Sequence, residues 1–325
     1  MTTKRRTFAA AAAALTDRDT VYCLPPLHHA SGLLTTLGAT VVGRSRIALS
    51  NGIDPKNFAV EVQRYGITVV SYTWSMLSGI VRDPDFHINQ HNPIRLFMGS
   101  GMSAGLWEDV CSSFPRARIL EFFATANVSG DKLSSVGRPL PETNPVEVAA
   151  YDIVGDRLLI DDSGFVRRAE TGEPGLLLAK AKHKFDTNGT VLRDVFTTRD
   201  RWEVSGHLFV RDADGDLYFL GATDRVLRTA DGPVFIPPIA HALSRLKSVD
   251  QVVVYGVGEP GHQVVVAAVT LRPGVTPDSL TVTQLRIALG EYRAEERPHL
   301  VHVVDEIPQS ASFRPLSPGL VEEGL

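Results

Sequence analysis

Three short stretches of this 325-residue chain carry residue types that could do chemistry. Asp212-Ala213-Asp214-Gly215-Asp216 alternates carboxylates at the spacing of a calcium loop. An EF-hand also needs Gly at its sixth position and Glu at its twelfth, where Leu217 and Thr223 stand. A tight turn between the apolar runs 208–210 and 217–219 accounts for the Asp and Gly residues without a metal. His28-His29 could ligate a metal, but no further His or carboxylate stands at ligand spacing. Gly99-Ser100-Gly101 follows an apolar run and would let backbone approach a nucleotide, although a lone Gly-x-Gly is a weak dinucleotide fingerprint. Gly101-Met102-Ser103-Ala104-Gly105 has the Gly-x-Ser-x-Gly form, but Ser103 reads as a helix N-cap and no Ser–His–Asp order accompanies it, so no nucleophile elbow is assigned.

Composition narrows the classes further. The chain is 43% hydrophobic and 22% charged, enough for two domains with substantial cores. Its net charge is −4, its pI about 6.2 and its mean hydropathy zero. No basic surplus exists to neutralise phosphates, so nucleic acid is not the expected partner, and Lys4-Arg5-Arg6 reads as a solvated end. The two cysteines, Cys23 and Cys111, form no CxxC pair, which suits a reducing cytoplasm without zinc. The alanine-rich run 9–15 is followed by Thr16-Asp17-Arg18-Asp19 and reads as a helix entering a folded domain, not as a secretory signal. No stretch is long and apolar enough to cross a bilayer, while a peripheral membrane contact stays open.

The elements that must position these residues change in texture along the chain. Strand-like runs at 20–24, 67–71, 94–98 and 118–123 alternate with helical candidates at 55–65, 74–82 and 103–114, a crossover pattern on a largely parallel sheet. Ser103 is the expected N-cap of the last helix. From about residue 146, short strands at 147–151, 157–160, 165–168, 176–179 and 217–220 with Gly and Asp turns predict an antiparallel β region. After Asp224 a smaller α/β pattern predicts helices at 237–246 and 283–292 and strands at 249–257, 263–271 and 300–304.

Taken in order, Leu24-Pro25-Pro26-Leu27-His28-His29, Gly99-Ser100-Gly101-Met102, Glu121-Phe122-Phe123-Ala124-Thr125-Ala126-Asn127 and Ser135-Val136-Gly137-Arg138-Pro139 form a series. It continues through Gly172-Glu173-Pro174-Gly175, Ser205-Gly206-His207, Gly221-Ala222-Thr223-Asp224-Arg225 and Pro308 to Arg314. The succession resembles the adenylate-forming (AMP-binding) superfamily, and within it the fatty-acyl-CoA synthetases and fatty-acid transport proteins. The resemblance implies an α/β protein: a truncated acyl-adenylating large domain over 1–223, with a partly parallel sheet plus an antiparallel β region, and a small C-terminal α+β domain over 224–325 hinged at Asp224. It implies a fatty-acid–CoA ligase that uses ATP, Mg²⁺ and coenzyme A, forming an acyl-adenylate from which the thiol displaces AMP.

By the same resemblance, Gly99, Ser100, Gly101, Phe123, Thr125, Asn127 and His207 fall at nucleotide-binding positions. His29 matches the family's His near the substrate pocket, and Trp74 lies near where long-chain enzymes place a gating aromatic. On residue chemistry alone, Trp74 also reads as a core aromatic at a helix start and His29 as a polar cap. Four catalytic positions depart from the family. Asn127 stands for a Glu that helps hold Mg²⁺, with Ala126 beside it for a Thr, and His207 stands for the Asp that accepts both ribose hydroxyls. Ala222 stands for an Arg next to the hinge, and Arg314 for the Lys that reaches the carboxylate and α-phosphate. The family's Ser/Thr/Gly-rich phosphate loop lies upstream of the helix that here starts near Thr7.

The expectation is therefore an acyl-CoA synthetase-like protein, inactive or strongly impaired as this chain, with a fatty acid or acyl-CoA as its ligand. Two alternatives stand beside it: half of a split ligase whose partner chain supplies the phosphate loop, or a non-catalytic acyl- or nucleotide-binding protein. Truncation further predicts exposed apolar surface on the first sheet.

Overall fold

The computed structural model describes residues 2–49, 54–123, 128–140, 143–181 and 191–309. Short Val- and Leu-rich runs buried on both faces favour parallel pairing with helices above and below. Four of them, β1 (Thr20–Cys23), β3 (Val69–Ser71), β4 (Leu96–Gly99) and β5 (Arg118–Phe123), do this, with β2 (Arg46–Leu49) on the outer side of β1. The sheet order is β2-β1-β3-β4-β5, all parallel, then β6 (Val128–Gly130) and β7 (Arg138–Pro139) added antiparallel.

Alternation along each strand sorts its side chains between two layers. Val21, Val69, Leu96, Met98, Leu120 and Phe122 face α1 (Thr2–Ala12), whose Phe8 ring meets Phe122 edge-on at 5.7 Å. Tyr22, Val70, Phe97 and Ile119 face α3 (Pro55–Tyr65), α4 (Trp74–Val81) and α5 (Ala104–Ser113). Between β1 and β2 the chain makes a π-helical turn, Ser31–Leu37, running straight into α2 (Gly38–Gly43). Local signals set the helix ends. Asp54 accepts the amides of Lys56 and Asn57, and left-handed Gly66 closes the same helix. Ser103 caps α5 through the amide of Leu106 at 3.3 Å, as its position predicts.

The antiparallel region is a second sheet of β8 (Val146–Asp152), β9 (Arg157–Leu158), β10 (Gly175–Lys180), β11 (Val191–Arg193), β12 (Arg201–Arg211) and β13 (Leu217–Ala222). Its order is β11-β12-β10-β8-β9, with β13 on β12. Val148, Leu177, Phe209 and Leu217 on one face pack with Val128 and Phe123 of the first sheet, which joins the two sheets through a shared apolar layer. The expected strand at 165–168 is only a pair of bridges, Ile160↔Val166 and Ala149↔Arg168, because the turn at left-handed Gly164 returns the chain too tightly for a ladder.

After Val226 the chain builds β14 (Leu227–Thr229), β15 (Gly232–Val234), α6 (Ile236–Ser244), β16 (Val249–Val257), β17 (Val264–Leu271), α7 (Val282–Ala288) and β18 (Leu300–Val303). β17 pairs antiparallel with β16 and parallel with β18. The helix expected over 283–292 is shorter than its pattern. A capping box of Thr281 and Gln284 starts it, and the helical ladder gives way to tighter turns at Leu289 and Gly290.

This smaller unit meets the first sheet's helices through a close seam. A Cβ on Gly105 of α5 would fall 1.8 Å from the carbonyl oxygen of Ser244, so only glycine permits α6 to approach this closely. Arg82, 5% exposed, lies 2.7 Å from Asp109 and 2.8 Å from Asp250, and Arg272 closes on Asp109 at 3.0 Å. Away from that seam, seven of the twelve exposed large apolar side chains among the described residues lie between Leu27 and Tyr65, Val41, Val42 and the edge-strand residue Leu49 among them. Of these seven, Leu49 alone lies on a strand of the first sheet; the others lie on the segments and helices around it.

Gly105→Ala is expected to prise α6 from α5, and limited trypsin digestion should then cut between residues 223 and 235 faster than in the parent chain. Arg82→Met should lower unfolding stability by about 2–3 kcal/mol, below the 3–5 kcal/mol of a fully buried pair because Asp109 and Asp250 keep 24% and 23% exposure. Denaturant titration measures it.

Candidate functional site

Parallel strands discharge their following loops at one edge, and β1, β3, β4 and β5 place theirs side by side. Those loops, together with β12, β13 and the small unit, enclose a cavity of about 830 Å³. Glu121, at the end of β5, organises its floor. It is 5% exposed, and it accepts hydrogen bonds from the Tyr72 hydroxyl, from the Gly101 amide at 2.7 Å and from the Met102 amide at 3.2 Å. Burial raises the Glu121 carboxyl above the ordinary carboxylate range, and the three donors oppose that shift. The Tyr72 phenol is held well above its usual value by burial and by the Glu121 charge, so tyrosine is the donor.

The Gly-Ser-Gly loop owes its composition to this contact. A Cβ on Gly99 would lie 2.7 Å from the Tyr72 ring, and Gly101 adopts a left-handed φ of 78° that turns its amide toward Glu121. Its sequence-level reading as a cofactor loop therefore meets a second role, a clamp on a buried carboxylate, with Ser100 between the glycines lining the cavity.

His207, on β12, lines the opposite wall. Its Nδ1 donates to the Ser205 carbonyl oxygen at 2.7 Å, so a neutral ring offers only Nε2 as an acceptor. The ring stands edge-on to Phe123 at 5.2 Å and tilted to Phe219 at 5.7 Å, with Phe123 and Phe219 6.0 Å apart. These rings pack against one another as an apolar, aromatic wall of the cavity.

His29, Trp74, Gly99, Ser100, Gly101, Phe123 and His207 all border this one cavity. Ala222 pairs with His207 across the β12–β13 ladder but does not border it, and Asp224 is exposed on the 3-10 turn Thr223–Arg225. Thr125, Ala126, Asn127 and Arg314 lie outside the described residues. The Asp212, Asp214 and Asp216 carboxylates converge, but the Lys132 ammonium stands 2.6, 3.4 and 3.7 Å from them. Asp212 also accepts the amides of Asp214 and Asp216. The alternating acids form the tight turn that their spacing suggested.

The small unit contributes cavity residues that sequence reading missed: Pro238, His241 and Tyr292. His241 Nδ1 lies 3.1 Å from Ser134 Oγ across the seam, and burial pushes its imidazole down to about 4. No spacing signal marks His241, because its partner is 107 positions away. Ser31, Thr35, Ser71 and Thr73 were also missed, since isolated hydroxyl residues carry no pattern.

Two models of the AMP-binding enzyme type match this chain: the enzyme domain over residues 1–179 and its C-terminal domain over residues 239–314. The chain belongs to the AMP-binding enzyme family. Among curated relatives, long-chain fatty acid transport protein 5 of Mus musculus is 28% identical, with 94% of this chain aligned to 47% of that protein. Long-chain fatty acid transport protein 2 of Rattus norvegicus is 25% identical, over 94% of this chain and 53% of that protein. The chain thus spans about half the length of the curated relatives it matches. Solved structures with the same fold include the anthranilate CoA ligase AuaEII in complex with anthranoyl-AMP, with a TM-score of 0.75, 20% identity, and 99% of this chain on 63% of that one. A benzoate CoA ligase from Burkholderia xenovorans LB400 gives a TM-score of 0.75 at 18% identity, 97% of this chain on 65% of that one. As in these ligases, the chain combines a mixed α/β large domain with a small C-terminal domain.

Glu121→Ala would leave three donors facing a void, and a loss of about 1–3 kcal/mol in unfolding free energy is expected, read by denaturant titration. For His241 the folded value lies below the usual 6.5, so its contribution to stability is complete above pH 6.5 and drains away as pH falls through about 4. The stability difference between the parent chain and His241→Gln should shift across that window, in favour of the variant as pH falls. A difference independent of pH would contradict it.

Proposed function

We propose that this chain is an acyl-CoA synthetase-like protein that binds a fatty acyl ligand, and that on its own it lacks ordinary ATP-dependent ligase turnover. The observation that carries this reading is the state of His207. It borders the same cavity as the Gly99-Ser100-Gly101 loop and the Phe123–Phe219 pair, yet one of its ring nitrogens is spent on Ser205. The family resemblance places a carboxylate there to accept two ribose hydroxyls; a neutral imidazole so bonded accepts one. Loss of one positioned electrostatic group typically costs about a hundred- to a thousand-fold in rate, roughly 2.7–4 kcal/mol.

The other groups that the family uses fit unevenly. The aromatic wall and the glycine loop suit the nucleoside part of ATP. For Mg²⁺, the carboxylate bordering the cavity among the described residues is Glu121, already held by three donors, so no magnesium-dependent step is assigned to it. Coenzyme A would supply the accepting thiol in the family reaction; no described residue is assigned to it. Domain limits of 1–223 and 224–325, with Asp224 as hinge, agree with the separate apolar cluster around Ile239, Leu243, Val254 and Val265. Among the described residues no helix is long and apolar enough to cross a membrane. We place the protein in the cytoplasm, with membrane contact at most peripheral.

A second reading has its own support. The exposed Val41, Val42 and Leu49 beside the unpaired edge of β2 suit a further chain that covers this side of the sheet and brings the phosphate loop. Mixing with such a chain would then create ligase activity that neither has alone.

Isothermal titration with ATP·Mg²⁺, alongside hydroxylamine trapping of any acyl-adenylate, tests the main reading. Long-chain acyl-CoA should raise the melting temperature while ATP·Mg²⁺ leaves it unchanged. Nucleotide binding with trapped acyl-hydroxamate would overturn it. His207→Asp should tighten AMP binding about tenfold, the gain of one charge-assisted hydrogen bond.

A further inference from the structure

The strands of the first sheet end at the cavity and begin at the opposite edge, where four arginines surround the beginnings of β1, β2 and β3. Arg18 stands in the turn before β1, Arg44 and Arg46 at the entry to β2, and Arg64 in the last turn of α3, which leads into β3. Hydrogen bonds hold these segments side by side. Ser45 Oγ donates to the Thr16 carbonyl oxygen at 2.8 Å, the Arg46 amide to that of Asp19 at 2.9 Å and the Thr68 amide to that of Thr20 at 3.0 Å. All four arginines are exposed, and none makes an ion pair with a described residue. Across residues 16–20, 41–46 and 63–68, Asp17 is the one exposed carboxylate, because Asp19 is buried against Arg95. The same segments expose Val41 and Val42 in the last turn of α2, and Tyr65, whose ring lies 5.4 Å from the Arg64 guanidinium. Favourable charge at a helix C-terminus accounts for Arg44 and Arg64 but not for Arg18 and Arg46, which lie on no helix. Arg44 also holds a left-handed φ of 56° at the close of α2, a position that glycine fills without strain.

We infer that this face docks the protein on an anionic lipid surface. It is a local basic surplus on a chain whose net charge is −4. Guanidinium forks bond lipid phosphates in pairs, and each basic side chain near an anionic leaflet adds to the attraction. The valines supply apolar area to bury at the headgroup boundary, and a tyrosine ring suits that depth. Nucleic acid would answer the arginines but set the valines against phosphate, and an apolar protein face would leave four guanidinium groups unanswered. The cavity lies at the other edge of the sheet, so docking here leaves its mouth clear. The inference rests on the peripheral membrane contact proposed above and assigns it a surface and a lipid charge; it does not depend on what the cavity holds.

The test is co-sedimentation of the full chain with vesicles of phosphatidylcholine alone and of phosphatidylcholine mixed with phosphatidylserine. Binding should favour the phosphatidylserine vesicles and fall as salt rises from about 0.1 M to about 1 M, which shortens the Debye length from about 10 Å to about 3 Å. Arg44→Gly, which relieves the left-handed strain, and Arg46→Gln should each weaken that binding about fivefold, the equivalent of about 1 kcal/mol per basic side chain. Val42→Ser should lower it at every salt concentration. Arg286→Gln, at an exposed arginine of α7 in the small unit, should leave it unchanged. Melting curves verify that the variants are folded. Equal binding to both vesicles, indifferent to Arg44 and Arg46, would keep a peripheral contact and overturn this surface. No binding to either would overturn the contact and the inference together, and would leave the face to the covering chain of the second reading.

Discussion

A buried carboxylate bonded by three donors from two different loops sets the geometry on which the cavity depends. Glu121 lies in the second half of β5, Tyr72 follows β3, and the Gly101 and Met102 amides follow β4, so one side chain ties three parallel strands together near their exits. Parallel sheets leave such exits close in space but covalently unconnected. A charge buried among them is costly unless donors surround it, and the same cost makes the donors' positions strict. Gly99 and Gly101 follow from that demand, one to admit the Tyr72 ring and the other to turn its amide inward.

From this floor the remaining walls are placed by apolar packing. Phe123 lies two residues beyond Glu121, still on β5, and reaches Phe209 and Phe219 of the second sheet, so the sheet-to-sheet layer and the aromatic wall of the cavity share residues. His207 meets those rings from β12, and its Nδ1 bond to the Ser205 carbonyl leaves Nε2 as its one acceptor. The small unit closes the cavity with His241 and Tyr292, held in place by the glycine contact at Gly105 and the ion pairs around Arg82. The cavity and the docking of the small unit are therefore properties of one continuous arrangement.

Much of this was legible in the residues themselves. Apolar run length and the spacing between runs marked β1, β3, β4 and β5, the antiparallel region and the later Val-rich hairpin, because burial on one or two faces is a local pattern that sequence records; β2, β6 and β7 are too short or too weakly apolar to stand out. The capping residue Ser103 marked a helix start for the same local reason, and the alternating acids from Asp212 to Asp216 described their turn. Motif order identified the family and gathered His29, Trp74, Gly99, Ser100, Gly101, Phe123 and His207, which the fold does bring to one cavity. What only the tertiary structure decided lies in contacts between distant segments: Glu121 with Tyr72 49 positions away, His241 with Ser134 107 away, and Arg82 with Asp250 168 away. Local pattern measures which face a residue turns inward. The partner it meets there depends on strand order and domain docking, and those are fixed only when the whole core closes.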